Sequence, residues 1–418
     1  MQGKQGQKAR MSNQHPSSRD AAERLDQMAP LAHAAASFML PDGLIYLDGH
    51  SLGPSSVLAQ AAVEKATKQE WADGLIRSWN DADWINLPRT VGAKLARLMG
   101  AADEDVIVCD SVSINLYKLA AAALDLVANK RILVEADEFP TDQYMAQGLC
   151  QQRGAVFERI ESGSAADALK AGGVLLKSVV NYRTAVIEDI AALEQVAERH
   201  GALIIWDLSH ATGCVDLNLR ADGARLATGC TYKYLNGGPG APAFVYARED
   251  MASQMQTPLP GWFGHADPFA FEGDYRPVPG AARFAAGTPG VLSLRALDGA
   301  LDLFEGISVD QLSQKARALG DVCLWWAEQF GLAAISPGVG ERRGGHVSLL
   351  HEDGYAVVQA MIAENIIPDF REPDAMRFGF SPLYVRFVDV WEAMETLQDI
   401  LHTRRWDQPQ FKVQAAVT

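Results

Sequence analysis

The run ALIIWD, Ala202–Asp207, restricts the fold of this chain more than any other stretch. Five apolar residues stand in a row with no polar alternation, and a carboxylate ends them. A strand with one wet face alternates polar and apolar residues. A continuously apolar one is covered on both faces, as in a parallel sheet between layers of helix. The texture recurs in DVIVC (Asp105–Cys109), RILVE (Arg131–Glu135), AVFERI (Ala155–Ile160), VLLKSVV (Val174–Val180), ARLATGC (Ala224–Cys230) and APAFVYA (Ala241–Ala247). Helical patterns lie between, among them SINLYKLAAAALDL from Ser113 and IAALEQVAERHG, which stops at Gly201. This alternation predicts an α/β domain with a mostly parallel sheet over residues 56–294.

Beyond it the pattern changes. One long helical stretch is expected near Leu294–Phe330, then GGHVSLL, YAVVQAMIAENI, MRFGFSPLY and a last helix VWEAMETLQDILHTRR. That mixture predicts a smaller α+β domain over 295–418, with residues 19–55 as an N-terminal segment packing against it. Residues 1–18 are polar, lack the apolar core of a signal peptide, and are expected to be a disordered lead-in with Met11 as an alternative start. A formal net charge of −15 argues against broad binding to nucleic acid or anionic membrane. No apolar run reaches the roughly 18 residues of a membrane helix. Five scattered cysteines form no C-x-x-C pair, so neither a disulfide framework nor a metal site is expected, and a reducing cytoplasm fits.

Ligands of open α/β sheets sit at the carboxyl ends of the strands, so the residues after each strand are the candidates. After DVIVC, Ser113 would cap the next helix; taken alone it reads as an ordinary cap, although a helix N-terminus also suits a phosphate. After RILVE come Phe139, Thr141 and Asp142, either a turn or a stacking face with polar neighbours. After VLLKSVV come Ser178, Asn181, Arg183 and Thr184. Asp207 ends the apolar strand, where a carboxylate costs several kcal/mol unless a cation or proton donor faces it. His210 follows, and Lys233 stands in TYKYLNGGPG. Alone, Lys233 would snorkel to solvent; in an apolar pocket its amine suits Schiff-base chemistry. A buried lysine, an acid for a ring nitrogen, an anion site and an aromatic face are together what pyridoxal phosphate requires.

The motifs LDGHSLGP, EADEFPTD, WDLSHATG, TYKYLNGGPGAPAF, PGWFGH, FAAGTPGVLSL and MRFGFSPLY, in order from Tyr46 to Trp391, closely resemble the kynureninase family. These are pyridoxal-phosphate enzymes of aminotransferase class V and fold type I. The resemblance implies a seven-stranded sheet with helices on both faces, and a homodimer with a shared active site. It implies that Lys233 holds the cofactor covalently and that Asp207 pairs with its ring nitrogen, with Asp142 nearby. Phe139 would stack on the ring, Val112 and Ser113 would line the phosphate end, and Thr141, Ser178, His210 and Tyr232 would complete the cofactor shell. Trp262 and Thr288 would reach the partner subunit's phosphate, and Arg377 would grip the substrate α-carboxylate as a fork. The family pattern G-N-S-L-G reads GHSLG here, with His50 at the edge of the substrate pocket. Ile76–Trp84 would add to the wall that holds the substrate ring.

The implied reaction is hydrolysis of L-kynurenine, and by extension its 3-hydroxy form, to anthranilate (or 3-hydroxyanthranilate) and L-alanine in tryptophan catabolism. Lys233 would be the base and Tyr232 the proton carrier at the carbonyl. A cysteine desulfurase is the runner-up, but its reactive cysteine belongs on a loop, and Cys323 lies in a helical pattern. A non-catalytic relative would be expected to have lost Lys233 or Asp207. A nucleotide-binding protein would need a phosphate loop that the chain lacks.

Overall fold

The computed structural model describes residues 16–29 and 31–414. In chain order the strands are β1 (Ile45–Tyr46), β2 (Val106–Val108), β3 (Arg131–Glu135), β4 (Val156–Ile160), β5 (Val174–Ser178), β6 (Leu203–Asp207), β7 (Leu226–Gly229), β8 (Phe244–Ala247), β9 (His346–Leu350), β10 (Ile366–Ile367), β11 (Asp369–Arg371) and β12 (Ala375–Gly379). Seven form one sheet in the order β2-β8-β7-β6-β5-β3-β4. The pairs from β4 to β7 are parallel, while β8 runs antiparallel to both β7 and β2. Two reversals cancel, so β2 points the same way as β7, and its carboxyl end lies on the same sheet edge as theirs.

The apolar strands are covered on both faces. Along β6, Leu203 and Ile205 join one core with Ile132, Val134, Leu176 and the helix Val112–Leu126. Ile204 and Trp206 join the other with Leu133, Leu175 and the helices Leu87–Met99 and Ile190–Arg199. Each such side chain contributes roughly 1.5–3 kcal/mol. Trp206 keeps a polar handle inside the core, donating from Nε1 to Glu194 at 2.9 Å.

Beyond the large sheet, β11, β12 and β9 form a three-stranded antiparallel sheet, and β1 pairs with β10 in parallel. The helix Arg19–Met28 packs on the helix Phe387–Thr403, and the Asp26 carboxylate accepts the Phe387 and Val388 N–H groups at 2.7 and 3.0 Å. Asp26 thus satisfies orphan donors at that helix start.

Three expectations change. The long helix expected near Leu294–Phe330 is two, Val291–Leu301 and Val309–Phe330. Gly306 at φ +76° and a Ser308–Gln311 capping box interrupt it. The boundary at 294/295 falls within the first of these helices, which packs on Val57–Lys65. Of the expected lead-in, residues 1–15, Met11 included, lie outside the described residues, whereas Ser18 caps the first helix by accepting from Ala21 N–H at 3.2 Å. Among the described residues no helix is long and apolar enough to cross a membrane.

Candidate active site

The carboxyl ends of β5, β6 and β7 stand level, with Ser178 in register with Asp207 and Asp207 with Thr228. Asp207 is buried. Its Oδ1 accepts the Ser209 N–H at 2.7 Å, so its local turn supplies one donor and no cation. Burial raises its carboxyl above the ordinary range, opposed by Ser209 and Lys233. Asp142, in the first turn of the helix Pro140–Arg153, is also buried, and burial followed by repulsion from Asp207 and Glu138 holds it well above that range. Two neighbouring buried carboxyls, only partly offset by the Lys233 charge, favour a proton on one of them, or on a ligand between them.

From β7 the chain turns through Cys230–Lys233. Lys233 Nζ lies 2.7 Å from His210 Nε2. Its backbone is held from the N-terminal segment: Gly53 N–H donates to the Tyr232 carbonyl at 2.7 Å. A Cβ on Gly53 would stand 2.3 Å from the Lys233 carbonyl oxygen, so only glycine permits this approach. Tyr232 is half-buried, and Cys230, then burial, raises its phenol.

After β2, the N-cap is Ser111 and not Ser113, and it makes no side-chain cap bond. Val112 and Ser113 are the first two helical residues, so their N–H groups are orphan donors at the helix start. The serine expected to cap lies two residues past the actual cap, yet still at an anion-binding terminus. Phe139 flanks its helix, partly exposed, with its ring edge-on to Tyr182 at 5.4 Å. Thr141 is half-buried beside Asp142. The Ser178 N–H donates to Glu138 at 3.1 Å. Beneath it, buried Lys177 binds Glu135, Glu138 and Glu188 at 2.6, 3.0 and 3.0 Å.

Arg377 departs from the open fork expected of it, and it is no surface pair either. It is 1% exposed, and Asp369 accepts from both its Nε, at 3.0 Å, and its Nη2. Nη1 donates to the Tyr182 carbonyl at 2.6 Å and Nη2 to Ser51 at 3.4 Å. Of the five guanidinium donors, one Nη1 N–H is left over. The sequence pattern reveals an arginine within a short apolar segment but not the aspartate that docks beside it.

His50 is fully buried and stacks on His346, with ring centroids 5.3 Å apart at 12°. His346 is equally buried and lies 5.6 Å from the His210 ring. Among the described residues, neither ring nitrogen of His50 makes a protein hydrogen bond, nor does Nδ1 of His210. His346 went unnoticed in GGHVSLL, where only its place in an otherwise apolar strand hints at a role. Asp48, His50 and Asp369 bring three donor atoms within 4.8 Å of one another. Arg377 and Arg371 already bind Asp369, so a further cation there would meet two guanidinium charges.

Trp262 and Thr288 lie elsewhere. Trp262 packs with Trp79, Phe263 and Phe269 at 6.2, 4.7 and 5.7 Å, and Thr288 is exposed. Trp79 and Trp84 come from the Ile76–Trp84 stretch and pack edge-on at 5.9 Å. Among the described residues, no hydrogen bond or ring contact joins this aromatic cluster to Lys233. Cys323, the residue a desulfurase reading would need on a loop, is buried within Val309–Phe330, and burial pushes its thiol up to about 12.

Comparison with known proteins bears on this geometry. The family model for aminotransferase class-V matches residues 76–354, and that for the kynureninase C-terminal domain matches 312–397. A kynureninase of Burkholderia mallei (strain SAVP1) is 44% identical over 413 residues, covering 96% of this chain and 99% of its own. A kynureninase of Pseudomonas fluorescens is 42% identical over 413 residues, covering 95% and 98%. Among solved structures, a cysteine desulfurase from Thermococcus onnurineus NA1 superposes with TM-score 0.76 at 18% identity, over 89% of this chain and 98% of its own. The protein C-DES, with glycine covalently linked to its pyridoxal-phosphate cofactor, superposes with TM-score 0.75 at 15% identity, over 86% and 97%. At such identities the structural likeness speaks to the fold alone.

Proposed function

The chain belongs to the kynureninase family of pyridoxal-phosphate enzymes, and from that premise we propose that it hydrolyses the Cβ–Cγ bond of L-kynurenine to anthranilate and L-alanine. The observation that carries the proposal is Lys233 Nζ, 2.7 Å from His210 on the sheet edge where buried Asp207 ends β6.

The residues fit the cofactor. Asp207 and Asp142 are buried carboxyls whose mutual repulsion a protonated ring nitrogen would relieve. Among the described residues His210 Nδ1 has no hydrogen-bond partner. Val112 and Ser113 offer a helix start to a phosphate. Lys233, Asp207, Asp142, His210, Phe139, Thr141, Ser178, Tyr232, Val112 and Ser113 would hold it. Bound there, pyridoxal phosphate supplies an electron sink for negative charge at the substrate carbons.

The chain's own groups divide the remaining work. Asp207 holds a proton at the ring nitrogen. Lys233, once its amine is free, takes the proton from the substrate Cα. The Tyr232 phenol, kept protonated by Cys230 and burial, gives a proton at the γ-carbonyl oxygen as water adds to the carbon. Arg377 meets the α-carboxylate through its remaining Nη1 N–H, while Asp369 holds the guanidinium still. His50 borders that end of the pocket.

We further infer a homodimer in a reducing cytoplasm. Trp262 and Thr288 would then serve the partner's site, a reading supported by exposed Phe269 against Trp262, with exposed Phe271 against Phe269. The cysteines are all free. Equilibrium sedimentation of the holoenzyme tests the dimer.

The function is tested by anthranilate release from L-kynurenine, and 3-hydroxyanthranilate release from its 3-hydroxy form, with cofactor absorbance followed in the same sample. Lys233→Ala should abolish the absorption band of lysine-bound cofactor together with turnover. A persisting band, or a wild-type protein that cleaves neither substrate, would overturn the reading.

A further inference from the structure

The proposed reaction leaves a proton to dispose of, and this inference rests on that reaction. Kynurenine enters with no net charge, its ammonium and carboxylate cancelling. The water oxygen bonds to Cγ as the Cβ–Cγ bond breaks, and one hydrogen ends on the β-carbon of alanine. The other water hydrogen is left on a new carboxylic acid, which ionises at neutral pH because such acids titrate below about 5. Alanine leaves uncharged overall and anthranilate leaves with one negative charge. One proton per turnover must therefore exit a site whose groups are buried.

We propose that His210, His346, His50 and Asp48 form the exit path for that proton, from Lys233 to solvent. The path begins at Lys233 Nζ, 2.7 Å from His210 Nε2. The His210 ring lies 5.6 Å from the His346 ring, and His346 stacks on His50 at 5.3 Å. His50 Nδ1 faces Asp48 Oδ1 at 3.5 Å. The Asp48 side chain is 18% exposed, against 0% for His50, and is where the path reaches solvent. Transfer from ring to ring in this proposal runs through intervening water.

Two observations favour transport over packing. Buried imidazole nitrogens are normally hydrogen-bonded, yet both nitrogens of His50 and Nδ1 of His210 have no protein partner among the described residues, and His346 has only the Tyr182 carbonyl near enough to take its N–H. A neutral imidazole carries one N–H and one bare nitrogen, so each ring can accept a proton on one side as it releases one on the other. The new carboxylic acid gives its proton to the free Lys233 amine, Lys233 passes it to His210 Nε2, His210 Nδ1 passes one toward His346 and His50, and His50 delivers one to Asp48, which gives it to water. No ring keeps the charge.

The surroundings enforce that neutrality. Burial and the nearby cations Lys233, Arg377, Arg371 and Arg343 depress the three histidines, opposed at His346 only by the Tyr182 carbonyl. Asp48 is faced by Asp369, Ser51, Arg377 and Arg371; burial and Asp369 push it up to about 7, where it exchanges protons with neutral water.

The test uses the holoenzyme turning over L-kynurenine in weak and in concentrated buffer, with a pH-indicator dye reporting proton release by stopped flow. Wild-type turnover shows at the outset whether the proposed reaction itself stands. Wild-type kcat should be indifferent to buffer concentration. Asp48→Asn and His346→Gln should lower kcat about 10-fold or more in weak buffer. Proton release should then lag anthranilate formation, and imidazole or another small buffer titrating near neutrality should restore much of the rate. Cofactor absorbance should not change. His50→Asn provides a third break in the path should either variant fail to fold. Loss of rate that no small buffer rescues, or full kcat in weak buffer for the folded variants, would overturn the path.

Discussion

Replacing Gly379 by alanine isolates the contact that seats His50 in the pocket. Gly379 ends β12 opposite His346 of β9, and its backbone is in the ordinary region open to any residue. The obstacle is a side chain. An added Cβ would stand 2.2 Å from His50 Nδ1 and 2.9 Å from its Cγ. That is roughly 1.3 Å short of the roughly 3.5 Å at which such atoms rest. His50 has no exposed face and is backed by His346, so the ring cannot swing aside without disturbing the cluster. Overfilling of this kind costs typically 1–3 kcal/mol, and about 2 kcal/mol is expected here. Urea unfolding of the cofactor-saturated protein reads it as a lower midpoint at unchanged slope. The same substitution made on His50→Ala is relieved of the three nearest atoms and should cost under about 0.5 kcal/mol, a coupling of about 1.5 kcal/mol between contacting sites. An equal cost in both backgrounds would mean that His50 does not occupy this position.

Asp369→Asn should destabilise by about 3 kcal/mol, because it strips a buried guanidinium of its counter-charge; a urea-unfolding loss under about 1 kcal/mol would show that Arg377 is supported otherwise. Tyr232→Phe should cut kcat about 100-fold with cofactor absorbance intact, and near-normal turnover would remove the phenol from the reaction. Burial pushes the Lys315 ammonium down to about 8, against the pull of Asp26 and Asp389. Its folded pKa lies below its unfolded one, so its contribution is complete above pH 10.5 and is lost as pH falls toward 8. Relative to Lys315→Met, the wild type should therefore gain about 3 kcal/mol between pH 8 and 10.5; a constant difference across that range would refute the burial argument.

The large sheet was legible because its inner strands are apolar on both faces, a pattern that depends on neighbours in sequence. All seven segments read as strands form it. Asp207 and Lys233 were legible for the opposite reason, as polar groups standing where apolar strands end. What escaped depends on partners far along the chain. The Arg377–Asp369 pair joins two adjacent strands of the small sheet, and its effect on the fork depends on how the two side chains lean. His346 meets His50 only because β1 and its flanks fold back on the C-terminal half. The Ser111 cap was misplaced because two serines two residues apart serve equally well on paper, and the path of the backbone through Asp110, at φ +49°, decides between them.

The pairing of β1 with β10 also sets a schedule for biosynthesis. Ile45 and Tyr46 leave the ribosome early, but their partners Ile366 and Ile367 are translated about 320 residues later. At roughly 5–20 residues per second that interval is about 15 to 60 s. Throughout it the segment bearing His50, Ser51 and Gly53 has no strand to join, although the large sheet with Asp207 and Lys233 is already synthesised. A nascent chain could thus bring its lysine and aspartate together well before the carboxylate end of the pocket exists. Amino-acid recognition is the last property this polypeptide acquires.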